Sequence, residues 1–214
     1  AGESISGCPG ARWGMDGLLL PRWISMSLLN DCDLLGRVIG LDGVRDKLVP
    51  FDPVLLRLMD LQEWDLDYYK LLNDYEAVLR NNAARGPAYA WVRDGKPIAC
   101  AGIMLYWTGV GEAWLGPSKA VSSLRHTFHR SALRAFEVIA SELQLRRVSA
   151  TVNTKNVRAD RWIKAAYFEE EGYLREFGVD GSDHRVYARL FDGKHVRSKD
   201  SGAATGTKGR RSRT

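Results

Sequence analysis

The sequence predicts an α/β fold built on a mixed, mostly antiparallel sheet with helices on both faces. Three observations lead there. Two β-rich runs, AYAWV and PIACAGIMLYW, flank Asp94-Gly95, the strongest short-range hairpin signal. Two helical patterns, over residues 121–143 and 156–168, alternate with the β-branched run RRVSATV, the spacing of strands joined through helices. A last pair of runs, GYLREF and HRVYARLF, flanks the turn GVDGSD. Hairpins before and after a strand–helix–strand region require a mixed sheet.

The elements follow in order. Residues 1–44 are Gly- and Leu-rich with poor periodicity, an N-terminal extension in which only a short helix within Met26–Ile39 is expected. From Asp46, DKLVPF reads as a strand and PVLLRLM as a turn or two of helix. In NDYEAVLRNNAARG, Asn73 stands as N-cap with Glu76 three residues on, and Gly86 closes the helix. The hairpin around Asp94-Gly95 is followed, after Thr108-Gly109, by a third strand, GEAWLG. The helix over 121–143 has apolar residues at Val121, Leu124, Phe128, Ala132, Ala135, Ile139 and Leu143, every step three or four, so one stripe faces a sheet. In the next helix Ala159, Trp162, Ile163 and Ala166 share a side. In the last strand Val186, Ala188 and Leu190 alternate with Arg185, Tyr187 and Arg189, as in a half-buried strand.

Composition narrows the function classes. The 214 residues are 45% hydrophobic and 27% charged, normal for one globular domain with extensions. Three scattered cysteines, Cys8, Cys32 and Cys100, have neither metal spacing nor the number for a disulfide framework, and fit a reducing, cytoplasmic setting. No apolar run approaches the roughly 20 residues of a membrane span. GLLLPRWISMSLL is broken by Pro21 and Arg22 and lacks the flanks of a signal peptide. The net charge of +5 is uneven: Lys194–Thr214 holds seven Lys/Arg and one Asp, or +6, so the rest sums to −1. The tail (194–214) has almost no large apolar residue and is expected to be disordered, leaving a domain over 45–193. KGRRSR suits nucleic acid, an acidic surface or simple solubility. His126 and His129, three apart, have no carboxylate or Cys nearby in sequence and read as part of a solvated basic face. Asp183-His184 has no strained Ser or Cys nucleophile to make a triad. The tryptophans fall mostly in apolar runs and read as core.

The order of elements over Lys47–Asp192 resembles the GNAT family, the acetyl-CoA-dependent N-acyltransferases. The family's second long helix commonly reads Asn, two residues, Ala, two residues, Leu-Tyr, three residues, Gly-Phe; Asn156, Ala159, Trp162 and Phe168 match that register. EEEGYLREFGVDGSDHRVYARL looks like the hairpin that follows it. EAWLGPS, RRVSATV and LREFGVDGSDHRVYARL are similar to a phage- and prophage-associated branch that includes internal virion proteins of podovirus-type phages. The resemblance implies acetyl-CoA as cofactor and an amine on a small molecule or protein as acceptor, or, for the phage branch, a non-catalytic virion component with other virion proteins as partners. Three departures stand out. The family's general-acid Tyr falls on Ile163, which has no proton to give, and the Gly before Phe168 is Tyr167. The loop LGPSKAVSS keeps Gly116 but lacks the second glycine of the family's phosphate loop.

On that resemblance the pyrophosphate would lie against the residues Gly116, Ser118, Lys119, Ala120, Val121, Ser122 and Ser123, whose helix start supplies backbone N–H donors. The same serines would cap the helix in a protein without coenzyme. A backbone N–H near Trp114 or Leu115 would hold the oxyanion, and Asn153 and Asn156 would touch the pantetheine or phosphate arm or else cap the helix. Glu112 is the candidate base for the ammonium proton, or a strand-end Glu facing solvent. Trp107 and Trp114 are candidates to line an acceptor pocket.

Overall fold

A computed structural model of the chain describes residues 28–191. The segment before Leu28, and the basic tail with its expected disorder, lie outside the described residues. A 3₁₀ turn, Leu28–Asn30, leads into α1 (Cys32–Ile39) and β1 (Asp46–Pro50). Three helices follow: α2 (Val54–Arg57), α3 (Glu63–Leu71) and α4 (Tyr75–Ala84). The strands β2 (Ala88–Arg93), β3 (Lys96–Trp107) and β4 (Val110–Pro117) form a meander. Then come α5 (Arg125–Glu142), β5 (Arg147–Asn153), α6 (Val157–Ala165), β6 (Glu169–Leu174) and β7 (His184–Leu190). The seven strands form one sheet in the order β1-β2-β3-β4-β5-β7-β6, antiparallel throughout except between β4 and β5.

Each face of the sheet has its own core. Leu35 and Ile39 of α1, Phe128 and Ile139 of α5, and Ile163 of α6 pack with Trp91, Ala99, Ile103 and Val148 of the sheet. On the other face Leu56 of α2 and Leu79 of α4 pack with Ala90 and Cys100, with Trp114 against them. Trp91 and Ala90, or Ala99 and Cys100, are neighbours in sequence, so the two cores are read from alternate positions. Coverage on both faces is why PIACAGIML is nearly continuously apolar. Leu35 is 1% exposed. Truncating such a leucine to alanine costs about 2–5 kcal/mol, so α1 is part of the core.

The turns form as their residues require. Asp94 and Gly95 have φ of 48° and 77°, the left-handed pair a two-residue hairpin needs. Gly86 matters for another reason: a Cβ there would meet the Ile103 carbonyl oxygen at 2.1 Å.

The structure departs from expectation in three places. Asp74, not Asn73, caps α4, accepting from the Ala77 N–H at 3.2 Å, while Glu76 pairs with Arg57 instead of closing a capping box. α3 was not expected; its sequence EWDLDYYKL interleaves acids with aromatics and has no apolar stripe. In β7 the polar row is covered along with Ala188 of the apolar row, which is 4% exposed. Tyr187 is fully buried beneath α6 while Leu190 is 61% exposed. Asp160 of α6 receives hydrogen bonds from Tyr187 and Arg185, and Arg189 pairs with Glu137 of α5. Burial of that row is paid in hydrogen bonds and ion pairs.

Candidate active site

β4 and β5 are paired only at their starts, Val110, Glu112 and the residue between them facing Arg147, Val148 and Ser149. Beyond that, β4 continues to Pro117 on β3 and β5 continues to Asn153 on β7. The two strands part in a V, and β4 from Ala113 onward has no strand partner on its β5 side. A V between parallel strands exposes a row of backbone donors and acceptors that an extended amide-bearing ligand can pair with.

The loop at the top of β4 is clipped to the segment before α3. The Lys119 N–H donates to the Asp60 carbonyl at 2.8 Å and the Gln62 N–H to the Pro117 carbonyl at 3.3 Å. Leu61 and Ser118 form an antiparallel bridge. The Lys119 ammonium sits 2.9 Å from the Asp60 carboxylate. Ser118 is buried with its N–H given to the Ile98 carbonyl and no partner for Oγ among the described residues. A 3₁₀ turn, Lys119–Ser122, follows. Its Val121 is buried in the first core, and Ser123 Oγ bonds the Ala120 carbonyl at 2.8 Å. Much of the stretch 116–121 is thus committed to the protein itself.

The start of α5 is different. Leu124 occupies the cap position and no side chain bonds the first turn. Arg125 and His126 lie in that turn, the Arg125 Nε 3.3 Å from His126 Nε2. Arg158, from the first turn of α6, reaches across to donate to Ser122 Oγ at 3.1 Å. N–H groups left uncapped, with two guanidiniums beside them, favour a phosphate group. Sequence reasoning places Arg125 only in a solvated basic face with His126, His129 and Arg130, and does not single out Arg158. The approach of Arg158 to Ser122 joins two elements 36 residues apart in the chain, which no local pattern records. His126 and His129 belong to no metal-binding group among the described residues.

Asn156, rather than Asn153, caps α6, its Oδ1 accepting from the Ala159 N–H at 3.0 Å. Asn153 is buried; its Nδ2 donates to Ser182 Oγ at 2.7 Å and its Oδ1 accepts from the Lys155 N–H at 2.9 Å, tying the end of β5 to the β6–β7 loop. Ile163 is buried in the first core, so the position holds packing and no proton donor. Tyr167 has φ +65°, the left-handed conformation that a glycine adopts without strain.

Glu112 is half-buried on the face of α2 and α4, at the last β4–β5 pair. The Tyr106 hydroxyl donates to its Oε2. Trp114, two residues on, packs edge-on against Phe51 with ring centres 5.0 Å apart, and its Nε1 is buried with no partner among the described residues. Leu115 packs against the opposite core and Gly116 lies under Leu56. Trp107 is exposed beside Tyr106, the rings 5.8 Å apart.

No family model matches the chain, and no curated protein sequence does. Solved structures do match. An acetyltransferase of the GNAT family from Bacillus anthracis aligns with a TM-score of 0.53 at 14% identity, over 68% of this chain and 95% of that one. RimL, a ribosomal-protein α-N acetyltransferase in complex with coenzyme A, aligns at 0.53 and 12%, over 70% and 96%. A variant of the spermidine N-acetyltransferase SpeG from Vibrio cholerae aligns at 0.52 and 14%, over 68% and 94%. With the seven-stranded mixed sheet and the V between β4 and β5, the chain has the fold of the GNAT acyltransferases.

Proposed function

We propose that the protein is an acyl-CoA N-acyltransferase that transfers an acyl group, acetyl in the simplest case, to an amine. The observation that carries the reading is the V itself: an open β4 edge leading to an uncapped, arginine-flanked helix start. The residues fit the coenzyme. The free edge of β4 suits the amides of the pantetheine arm, and the start of α5 with Arg125, Arg158 and Ser122 suits the pyrophosphate. Bound acetyl-CoA would supply an acyl group activated as a thioester. The remaining work falls to the chain. A backbone N–H near Trp114 or Leu115 steadies the developing oxyanion, and Glu112 takes the proton that the attacking ammonium must lose. Ile163 offers no acid, so protonation of the departing sulfur falls to solvent.

The test is release of free thiol from acetyl-CoA in the presence of an amine panel: spermidine, lysine peptides, free-N-terminus peptides and aminoglycosides. Amine-dependent release is expected. Glu112→Gln should lower it about 10²–10⁴-fold, the usual share of a general base, without weakening acetyl-CoA binding. Absence of both turnover and binding would overturn the reading. A second reading, a non-catalytic phage protein of the same fold, draws on Ile163 and on the clip that occupies the loop after β4. It predicts no coenzyme affinity and co-purification with capsid or portal material, and any amine-dependent turnover would end it.

A further inference from the structure

We infer that Tyr106 is a positioning residue for Glu112, aimed by a bulge in β3 so that its hydroxyl fixes one carboxylate oxygen and leaves the other for the acceptor amine. The inference rests on the acyltransferase reading. The register of the β3–β4 hairpin carries it. Leu105 faces Gly111 and Trp107 faces Val110, so Tyr106 is the extra residue, two on β3 against one on β4. A bulge of this kind interrupts the ladder to re-aim a side chain, and such bulges recur beside active sites. Here it sets the Tyr106 and Trp107 rings side by side, with the Tyr106 hydroxyl on Glu112 Oε2.

The surroundings keep the carboxylate out of an ion pair. One cation beside this pair, Arg85, has its guanidinium 5.7 Å from the centre of the Tyr106 ring and its Nη1 3.4 Å from Met104 Sδ. Met104 is the residue paired with Glu112. From β5, Ser149 faces Glu112 and gives its hydroxyl to the Gly111 carbonyl, while Arg147 is held by Glu171. Among the described residues Glu112 makes no ion pair and its Oε1 has no partner. A carboxylate locked to a guanidinium would be a poor proton acceptor. One oriented by a neutral phenol faces no full counter-charge and gains direction. Burial first, and the bond to Glu112 second, push the Tyr106 phenol up to about 12, so it remains a donor throughout the working range. The ammonium N–H bond breaks, its proton lands on Oε1, and Tyr106 keeps its own.

The experiment labels tyrosine with ¹³C at Cζ and assigns Tyr106 by loss of its signal in Tyr106→Phe. In Glu112→Gln the Tyr106 phenol should become about tenfold more acidic, because the charged acceptor is gone. An unchanged titration would overturn the inference. On the enzyme, Tyr106→Phe should lower kcat about tenfold to hundredfold with KM for acetyl-CoA and calorimetric affinity for CoA unchanged. A fall in affinity equal to the fall in rate would assign Tyr106 a merely structural role and also overturn it. Loss of coenzyme binding in the unmutated protein would instead sink the acyltransferase reading, which separates the two failures.

Discussion

Helices α5 and α6 start in the same layer, each after a strand that borders the V, and their first turns are built in opposite ways. α6 has Asn156 bonding the Ala159 N–H and Asp160 in its first turn, both favourable at the positive end of a helix. α5 has Leu124 where a cap belongs, no acid in its first turn, and Arg125 there instead. A missing cap forfeits about 1 kcal/mol, and a cation at a helix start a further 0.3–1 kcal/mol or so. One helix start is finished by its own side chains. On the proposed acyltransferase reading, the asymmetry points to the start of α5, beyond the clipped stretch 116–121, as the place for the pyrophosphate.

The largest expected effect breaks the basic side of this comparison. Replacing Arg125 and Arg158 together by Glu should weaken CoA binding about a hundredfold, roughly tenfold for each charge-assisted contact. Thermal stability should hold or rise, since an acid replaces a cation in the first turn of α5. Calorimetry and a melting curve on the same sample read both.

Next comes the fastening of α6. Asp160 is held below the usual carboxylate range, foremost by the hydrogen bond from Tyr187 and then by Lys164 and Arg185, against the opposing pull of burial. A carboxylate depressed in the folded state stabilises it above the unfolded value of ~3.9, and that stabilisation disappears as pH falls through the folded value. Asp160→Asn should therefore lose about 2 kcal/mol at pH 7, on the scale of a hydrogen bond to a charged group. The gap from the unmutated protein should begin to narrow below about pH 4 and close as pH falls on through the folded value. Denaturant titrations at several pH values measure it.

Asn156→Ala tests the capped start directly. It should cost about 1 kcal/mol of stability and leave CoA affinity unchanged. Coupled loss of affinity would mean that Asn156 touches the coenzyme after all. The smallest effect is at Tyr167. Glycine there relieves the positive φ but gives up the Arg189 guanidinium, 5.5 Å from the ring centre. The two terms nearly cancel, so Tyr167→Gly should lie within about 0.5 kcal/mol of the parent. Tyr167→Ala, which loses the contact and keeps the strain, should be about 1 kcal/mol below the glycine variant.

The fold was legible because its signals are local. Asp94-Gly95 announces a hairpin by residue type, and the stripe from Phe128 to Ile139 announces a helix on a sheet. α3 escaped because its acids and aromatics alternate and, among its described side chains, Leu66 alone packs against a core. The candidate site is different: its residues are visible in the sequence and their contacts are not. Lys119 reads as a phosphate ligand until Asp60, 59 residues earlier in the chain, is found beside it. Asn153 and Asn156 look alike in sequence; only the second stands three residues before the N–H it caps. Arg158 meets Ser122 across two helices, and Tyr106 meets Glu112 through a bulge that the sequence LYWTG does not reveal. Pairings set by tertiary approach have no signature within a window of one strand or helix.

The most direct test is calorimetric titration of acetyl-CoA into protein freed of any copurified coenzyme, with the Arg125→Glu, Arg158→Glu protein alongside. Saturable micromolar binding that drops about a hundredfold in the double variant is the result predicted here. No binding up to millimolar acetyl-CoA, or binding that ignores both arginines, would contradict the claim that the open start of α5 is a coenzyme site.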